Sequence, residues 1–161
     1  REAFSIVPAY LTTTETGVTN LMDYGVQLGR RFRALKLWMV LRAFGLAGLR
    51  ERMRHHCALA AELAEWIRQD PRFALAAPVP LSTVCLRAVP DLPPAEQDRF
   101  NDALLARVNA AGPVFVSHTT LRERHMMRLT VGNLRTRREH VVQAWDLIRS
   151  AYAPTAAEFG L

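Results

Sequence analysis

The hydrophobic period of the chain changes at Asp70-Pro71, and this change limits the folds that the sequence can adopt. Before it, apolar residues recur at three- and four-residue steps, which is typical of helices with one buried face. After it, short alternating segments are separated by prolines, which is typical of strands and turns. Asp70 ends the helical part, because a residue before proline resists helical geometry. The chain therefore combines helices with a sheet.

Two helices are predicted before this point. The first begins at about Phe32 and stops at Gly45, since glycine is a frequent helix end, and the second covers roughly residues 47–69. The polar segment Thr12–Asn20 precedes them and has no apolar period. We therefore expect this segment to be an irregular, poorly packed loop.

Four strands and two helices are predicted after the change of period. In order, these are strands at 72–77 and 82–89, a helix at 95–111, strands at 114–121 and 125–133 around a charged turn at 122–124, and a helix capped by Thr136 with Glu139 as a capping box. This order predicts an α+β fold, a mostly antiparallel four-stranded sheet with helices on one face. The side chains that we expect to be mostly buried are Trp38, Met39, Leu49, Met53, Ile67, Val84, Leu104, Leu129, Val142 and Trp145.

The net charge of +6 could indicate an anionic partner such as nucleic acid. The cations are almost all arginine, however, with Lys36 as the single lysine, and arginine also forms fixed salt bridges. A sheet that binds RNA stacks bases on aromatic side chains, and the predicted strands offer only Phe73 and Phe115. A free-standing basic α+β module that binds nucleic acid or protein remains the alternative interpretation.

Sites that could bind a metal or a phosphate are few in the sequence. His55 and His56 are adjacent, so on a helix they point about 100° apart and cannot easily share a metal; we expect all five histidines to lie at the surface or at an interface. Two isolated cysteines form no metal motif, which favours a reducing compartment, the cytoplasm. No apolar run reaches the roughly 18–20 residues of a membrane span. Gly29, before a basic helix start, is either a turn residue or part of an anion site.

One stretch resembles a known family. The motifs are Gly29-Arg30-Arg31-Phe32-Arg33, then Leu35-Lys36 and Trp38, and later Arg68 to Phe73, which reads Arg-Gln-Asp-Pro-Arg-Phe. They resemble the group II pyridoxal-phosphate-dependent amino-acid decarboxylases, from Phe4 to about Tyr152. The resemblance implies a fold-type I enzyme, with residues 1–35 at the end of its large cofactor-binding domain and residues 36–161 as its C-terminal small domain.

The same resemblance implies roles for three residues. Tyr10, in Pro8-Ala9-Tyr10-Leu11, matches the tyrosine of a mobile loop that closes over the substrate. A phenol there fits the chemistry, because its pKa near 10 keeps it protonated and able to protonate Cα after carbon dioxide leaves. Leu28 and Gly29 match residues that reach the neighbouring subunit's site, near the substrate ring and the cofactor phosphate. Family members that act on histidine tend to carry serine in place of Gly29, which favours an aromatic substrate here.

The resemblance also implies what the chain requires from outside itself. The lysine that binds pyridoxal 5'-phosphate belongs upstream of Arg1, and Lys36 does not correspond to it. We therefore expect this polypeptide to be inactive alone and active with the remainder of the large domain, in a homodimer, on a small-molecule amino acid. We expect no nucleic-acid or membrane partner.

Overall fold

The computed structural model of the protein describes Gly17, Thr19, Tyr24 and residues 31–161. The chain divides into two compact units, residues 1–45 and 46–161. Its elements are helix α1 at Arg33–Gln69, strands β1 at Phe73–Leu75 and β2 at Thr83–Ala88, helix α2 at Pro94–Ala110, strands β3 at Ser117–Leu121 and β4 at Arg124–Thr130, and helix α3 at Arg138–Glu158. The predicted division into domains at residue 35 stays a prediction.

Helix α1 is interrupted at Gly45, whose φ of 65° and ψ of 168° are not helical. Glycine adopts a positive φ at little cost because it has no Cβ. The predicted stop of the first helix at this residue is therefore confirmed. The first helical segment lies in the unit that ends at Gly45, and the second begins the unit that follows.

The sheet has the order β1-β2-β4-β3, and every neighbouring pair of strands is antiparallel. The register places Val84 opposite Leu129 and Leu86 opposite Met127. Directly opposed residues share a face of a sheet, so these four side chains lie on one face, which we call the inner face. The predicted α+β fold with a four-stranded antiparallel sheet is confirmed.

Helix α2 packs on β2 and β4, and helix α3 packs on α2. The core lies between the inner face and these helices, with the C-terminal part of α1 included. Aromatic rings run through it, with Phe100 in contact with both Tyr152 and Phe159 at centroid distances of 5.2 Å and 5.3 Å. The opposite face of the sheet, the outer face, carries side chains of Cys85 and Arg87.

The predicted core is correct in the second unit except at Met53, and it is wrong in the first unit. Buried side chains are Ile67, Val84, Leu104 and Trp145, and partly buried ones are Leu49, Leu129 and Val142. Trp38, Met39 and Met53 are instead exposed, by 58%, 54% and 69%. A helical period identifies an apolar face, but it does not determine whether another element of the same chain covers that face.

Two local predictions near the last helix and the second hairpin had different outcomes. The predicted capping box at Thr136 and Glu139 is wrong, because α3 begins one residue later, with Arg137 as N-cap. The backbone N–H of Arg137 donates to Nδ1 of His140 at 3.1 Å, so an imidazole fills the role expected of a carboxylate. The charged turn is confirmed, with positive φ at Arg122 (52°) and Glu123 (61°), as two-residue hairpins of the primed type require.

Candidate functional site

The three residues assigned to the site from the sequence, Tyr10, Leu28 and Gly29, lie outside the described residues. Their roles stay predictions. Of the predicted loop Thr12–Asn20, the structure describes Gly17 and Thr19, and both are exposed. The irregular nature of this loop also stays a prediction.

Lys36, the single lysine of the sequence, lies on α1 and is exposed. A lysine that binds pyridoxal phosphate must project into an enclosed site with groups for the phosphate and the ring nitrogen. An exposed Lys36 does not meet this requirement in the described part of the chain. That the cofactor lysine lies outside the chain stays a prediction.

A polar network joins the start of α2 to strand β4. The guanidinium of Arg124 donates from Nε to both carboxylate oxygens of Asp98, at 3.0 Å and 3.2 Å. Its Nη2 donates to the carbonyl of Pro94 at 3.0 Å and to Oε1 of Gln97 at 3.1 Å. Arg124 therefore ties the β3–β4 hairpin to the first turns of α2.

Arg87 enters the same network from strand β2. Its Nη2 donates to Oε1 of Gln97 at 2.8 Å and lies 3.7 Å from Oδ1 of Asp98. Burial, together with the charge of Arg124, lowers the pKa of Arg87 from its usual value. Guanidinium groups remain charged at neutral pH, so this network can bind an anion or fix a geometry but cannot transfer protons.

One turn further along α2, Asp102 pairs with His125 of β4. The Nδ1 atom of His125 lies 2.9 Å from Oδ1 of Asp102, and this hydrogen bond raises the pKa of the imidazole above its usual value. His125 is 47% exposed. A half-exposed imidazole lacks the water-poor surroundings that a catalytic acid or base needs.

A groove of about 690 Å³ lies between the end of α1 and α3, lined in part by Trp66, Asp70 and Arg149. Arg72 binds the carboxylate of Asp70 in a two-point contact, from Nε at 2.9 Å and from Nη2 at 2.6 Å. These hydrogen bonds, opposed by burial, lower the pKa of Asp70. Arg149 approaches the same carboxylate to 3.6 Å. The negative charge of Asp70 is therefore compensated by arginines within the groove.

The histidines and cysteines form no metal site in the part of the chain that the structure describes, where no three candidate ligands converge. His56 is buried at 9% exposure, so its predicted surface position is wrong, whereas His55, His118, His125 and His140 are exposed. Cys57 and Cys85 are free thiols. Among the described helices, none is both long and apolar enough to cross a membrane.

The paired charges of α2 and β4 were not predicted from the sequence. Asp98 and Asp102 are four residues apart, which places them on the same face of a helix, and this spacing was a usable signal. Their partners, Arg124 and His125, could not be identified without the strand order, because β4 pairs with β2 on one side and β3 on the other.

Comparison with known proteins places the chain in a family. The model of the pyridoxal-dependent decarboxylase conserved domain matches residues 1–89, more than half of the chain. The chain belongs to the pyridoxal-dependent decarboxylase family. Helix α1 and strands β1 and β2 lie within or at the end of the matched region, and the resemblance stated from the sequence motifs is confirmed.

Individual relatives agree with this membership. Tyrosine decarboxylase 2 of Narcissus pseudonarcissus is 40% identical over 154 residues, which are 92% of this chain and 30% of that protein. Phenylacetaldehyde synthase of Arabidopsis thaliana is 37% identical over 151 residues, or 91% of this chain and 31% of that protein. The crystal structure of Oryza sativa TDC with PLP and tryptamine superimposes with a TM-score of 0.86 at 34% identity, covering 95% of this chain and 33% of that one.

The chain thus spans about a third of the length of the relatives that it matches. The described residues supply the sheet and helices of an α+β part, with charge networks that fix its geometry. None of these networks holds an enclosed acid, base or nucleophile.

Proposed function

We propose that this chain is part of a pyridoxal-phosphate-dependent carboxy-lyase that converts an aromatic L-amino acid to its amine and carbon dioxide. The observation that carries the proposal is the 40% identity to a tyrosine decarboxylase across 92% of the chain. The structural likeness to Oryza sativa TDC with PLP and tryptamine supports it. An amino-acid substrate and a place in amino-acid metabolism follow.

When bound, pyridoxal 5'-phosphate acts as an electron sink for the bond that breaks at Cα. The lysine that holds it, we propose, lies in the part of the enzyme outside these 161 residues, so this polypeptide alone is inactive. Tyr10 donates the proton that replaces the carboxylate on Cα. Leu28 and Gly29 border the substrate ring and the cofactor phosphate of the neighbouring subunit, and the small Gly29 leaves room for an aromatic ring.

A homodimer and a cytoplasmic location belong to the same proposal. A position of Leu28 and Gly29 in the neighbouring subunit's site requires two copies of the chain. The exposed apolar side chains of the first α1 segment, such as Trp38 and Met39, support contact with a further polypeptide surface. Free thiols at Cys57 and Cys85 are consistent with a reducing compartment.

The alternative, a basic module for nucleic acid, has less support. Several of the arginines that give the net charge of +6 are engaged in ion pairs: Arg72 with Asp70, Arg124 with Asp98 and Arg138 with Glu62. Phe115, which is 82% exposed, lies just before β3 and is not part of a row of aromatics on the sheet. A surface built to stack bases needs such a row.

Aldehyde formation is a second candidate outcome for the same chemistry, because one relative is a phenylacetaldehyde synthase. Both outcomes begin with loss of carbon dioxide. They differ in whether Cα is protonated to give the amine or oxidised to give the aldehyde, with oxygen as the oxidant. The presence of a phenol donor at Tyr10 favours the amine.

The proposal is tested on the complete protein, supplied with pyridoxal 5'-phosphate and with tyrosine, tryptophan, phenylalanine, Dopa, histidine or glutamate in turn. We expect amine and carbon dioxide in equal amounts from at least one aromatic substrate and little from histidine or glutamate. A Lys36→Arg variant is the control and keeps its activity, since Lys36 does not bind the cofactor. Absence of carbon dioxide release from every amino acid would refute the proposal.

A further inference from the structure

Two buried or half-buried guanidinium groups share a single carboxylate at the start of α2. The side chains of Arg87 and Arg124 are 11% and 29% exposed, and Asp98 is 23% exposed. Arg124 occupies both oxygens of Asp98 at 3.0 Å and 3.2 Å, whereas Arg87 comes no closer than 3.7 Å. Asp98 therefore binds Arg124 closely and forms only a longer ion pair with Arg87, so one carboxylate serves two guanidinium charges.

The strong contact of Arg87 is with a neutral group. Gln97 donates from Nε2 to the carbonyl of Pro90 at 3.1 Å, which fixes its amide so that Oε1 faces both arginines. The Nε atom of Arg87 is buried without a hydrogen-bond partner. Nearby Asp91 and Glu96 are exposed, and neither forms an ion pair with Arg87 among residues 31–161.

The position of Arg87 makes burial of its positive charge more unfavourable. Arg87 is near the first turns of α2, where the unpaired N–H groups carry a partial positive charge. A buried cation without a counter-charge is strongly unfavourable, whereas a cation that is paired and hydrogen-bonded can be retained. Burial lowers the pKa of Arg87, which agrees with this description of its surroundings.

We propose that Arg87 is a docking residue that pairs with an aspartate or glutamate carboxylate from the part of the enzyme outside these 161 residues. The side chain leaves β2 between Leu86 and Ala88, which face the core, and so departs from the outer face of the sheet. The chain covers 30% of its tyrosine decarboxylase relative, so most of such an enzyme is available to supply the carboxylate. This inference rests on the proposed function only in assuming that a larger enzyme exists.

The test measures the melting temperature of the complete protein for wild type, Arg87→Lys and Arg87→Gln. Lysine keeps the charge and loses the planar fork, whereas glutamine loses both. With a partner carboxylate, we expect the order wild type, then Arg87→Lys, then Arg87→Gln, with glutamine lower than wild type by about 5 °C or more. The control is Arg68→Gln, because Arg68 is 56% exposed and, among the described residues, pairs only with exposed Glu65. The melting temperature of this variant stays close to that of wild type.

Two results would overturn the inference. A melting temperature for Arg87→Gln that equals or exceeds that of Arg87→Lys would show that the charge has no partner. A rise in the wild-type value with added acetate or phosphate, absent in Arg87→Gln, would assign the site to a free anion. Both readouts are independent of decarboxylation, so an inactive protein with the expected order of melting temperatures would refute the proposed function and keep this inference.

Discussion

His125 and Asp102 join strand β4 to helix α2 through a hydrogen bond of 2.9 Å between Nδ1 and Oδ1. The carboxylate raises the pKa of the imidazole in the folded protein. A group whose pKa is raised on folding stabilises the protein fully below its unfolded pKa, and this contribution is lost as the pH rises through the folded pKa. The pair therefore makes stability depend on pH on the alkaline side of about pH 6.5.

We predict that the difference in unfolding free energy between wild type and His125→Gln is largest below about pH 6.5 and shrinks as the pH rises above this value. Denaturant unfolding at a series of pH values measures it. His118→Gln is the control, because His118 is exposed on the neighbouring strand and forms no ion pair in the part of the chain described. A difference that grows with pH would contradict the assignment.

Asp70 has the opposite dependence on pH. Hydrogen bonds from Arg72 lower the pKa of the Asp70 carboxyl in the folded protein. The contribution of Asp70 to stability is therefore present above the unfolded pKa of about 3.9 and is lost as the pH falls through the folded pKa. Asp70→Asn is expected to be less stable than wild type at pH 7 and to approach it in acid. Asp146→Asn, whose carboxylate is 63% exposed and 3.9 Å from Arg149, should differ little at either pH. If Asp70→Asn stayed less stable than wild type by the same amount down to acid pH, the carboxylate charge would not be the cause of the difference.

The aromatic core offers a matched pair of substitutions. Phe100 is fully buried and contacts Tyr152 and Phe159, so Phe100→Ala should lower the unfolding free energy by about 3–5 kcal/mol. Phe115 is 82% exposed, and Phe115→Ala should change the unfolding free energy by less than about 0.5 kcal/mol. Chemical denaturation of both variants provides the comparison. Equal losses would mean that the described core is wrong at Phe100 or that Phe115 is covered.

Asn101 is the buried polar side chain that fixes β2 on α2. It accepts from the N–H of Ala88 at 2.7 Å and donates to the carbonyl of Ala88 at 3.0 Å and to that of Gln97 at 2.8 Å. Asn101→Ala leaves buried backbone groups without partners, and we expect a loss of about 2 kcal/mol or more. Gln143→Ala, at an exposed position of α3, is the control. A loss no greater than that of the control would show that water replaces these bonds.

The sequence predicted the elements of the fold because their signals are local. The spacing of apolar residues before Asp70-Pro71, the stop at Gly45 and the alternation of 82–89 and 125–133 each follow from backbone geometry alone. The exposed state of Trp38 and Met39 was not predictable, because it depends on what lies outside the helix that carries them. The contacts of Arg87, Arg124 and His125 depend on strand order and on the placement of α2, which a pattern of single residues does not determine.

The candidate site was inferred through family resemblance and hardly at all from the residues alone, and it stays a prediction. Tyr10, Leu28 and Gly29 have no distinguishing spacing or charge, and the roles predicted for them rest on motifs shared with related decarboxylases. The match to the family model over residues 1–89 includes all three positions. The roles of these residues are therefore tested by the products that variants of the complete protein form.

The most direct test of a decarboxylase role for this chain is the product distribution of Tyr10→Phe in the complete protein. Removal of the phenol should leave the binding of cofactor and substrate nearly intact and lower amine formation by about 10²–10⁴-fold, the usual contribution of a general acid. Carbon dioxide should still be released, accompanied by aldehyde, ammonia and peroxide as oxygen reacts at the unprotonated carbon. Amine, aldehyde and carbon dioxide are quantified together from one aromatic amino acid. Wild-type amine yield from Tyr10→Phe, or a loss of substrate affinity with an unchanged product ratio, would contradict the role of Tyr10.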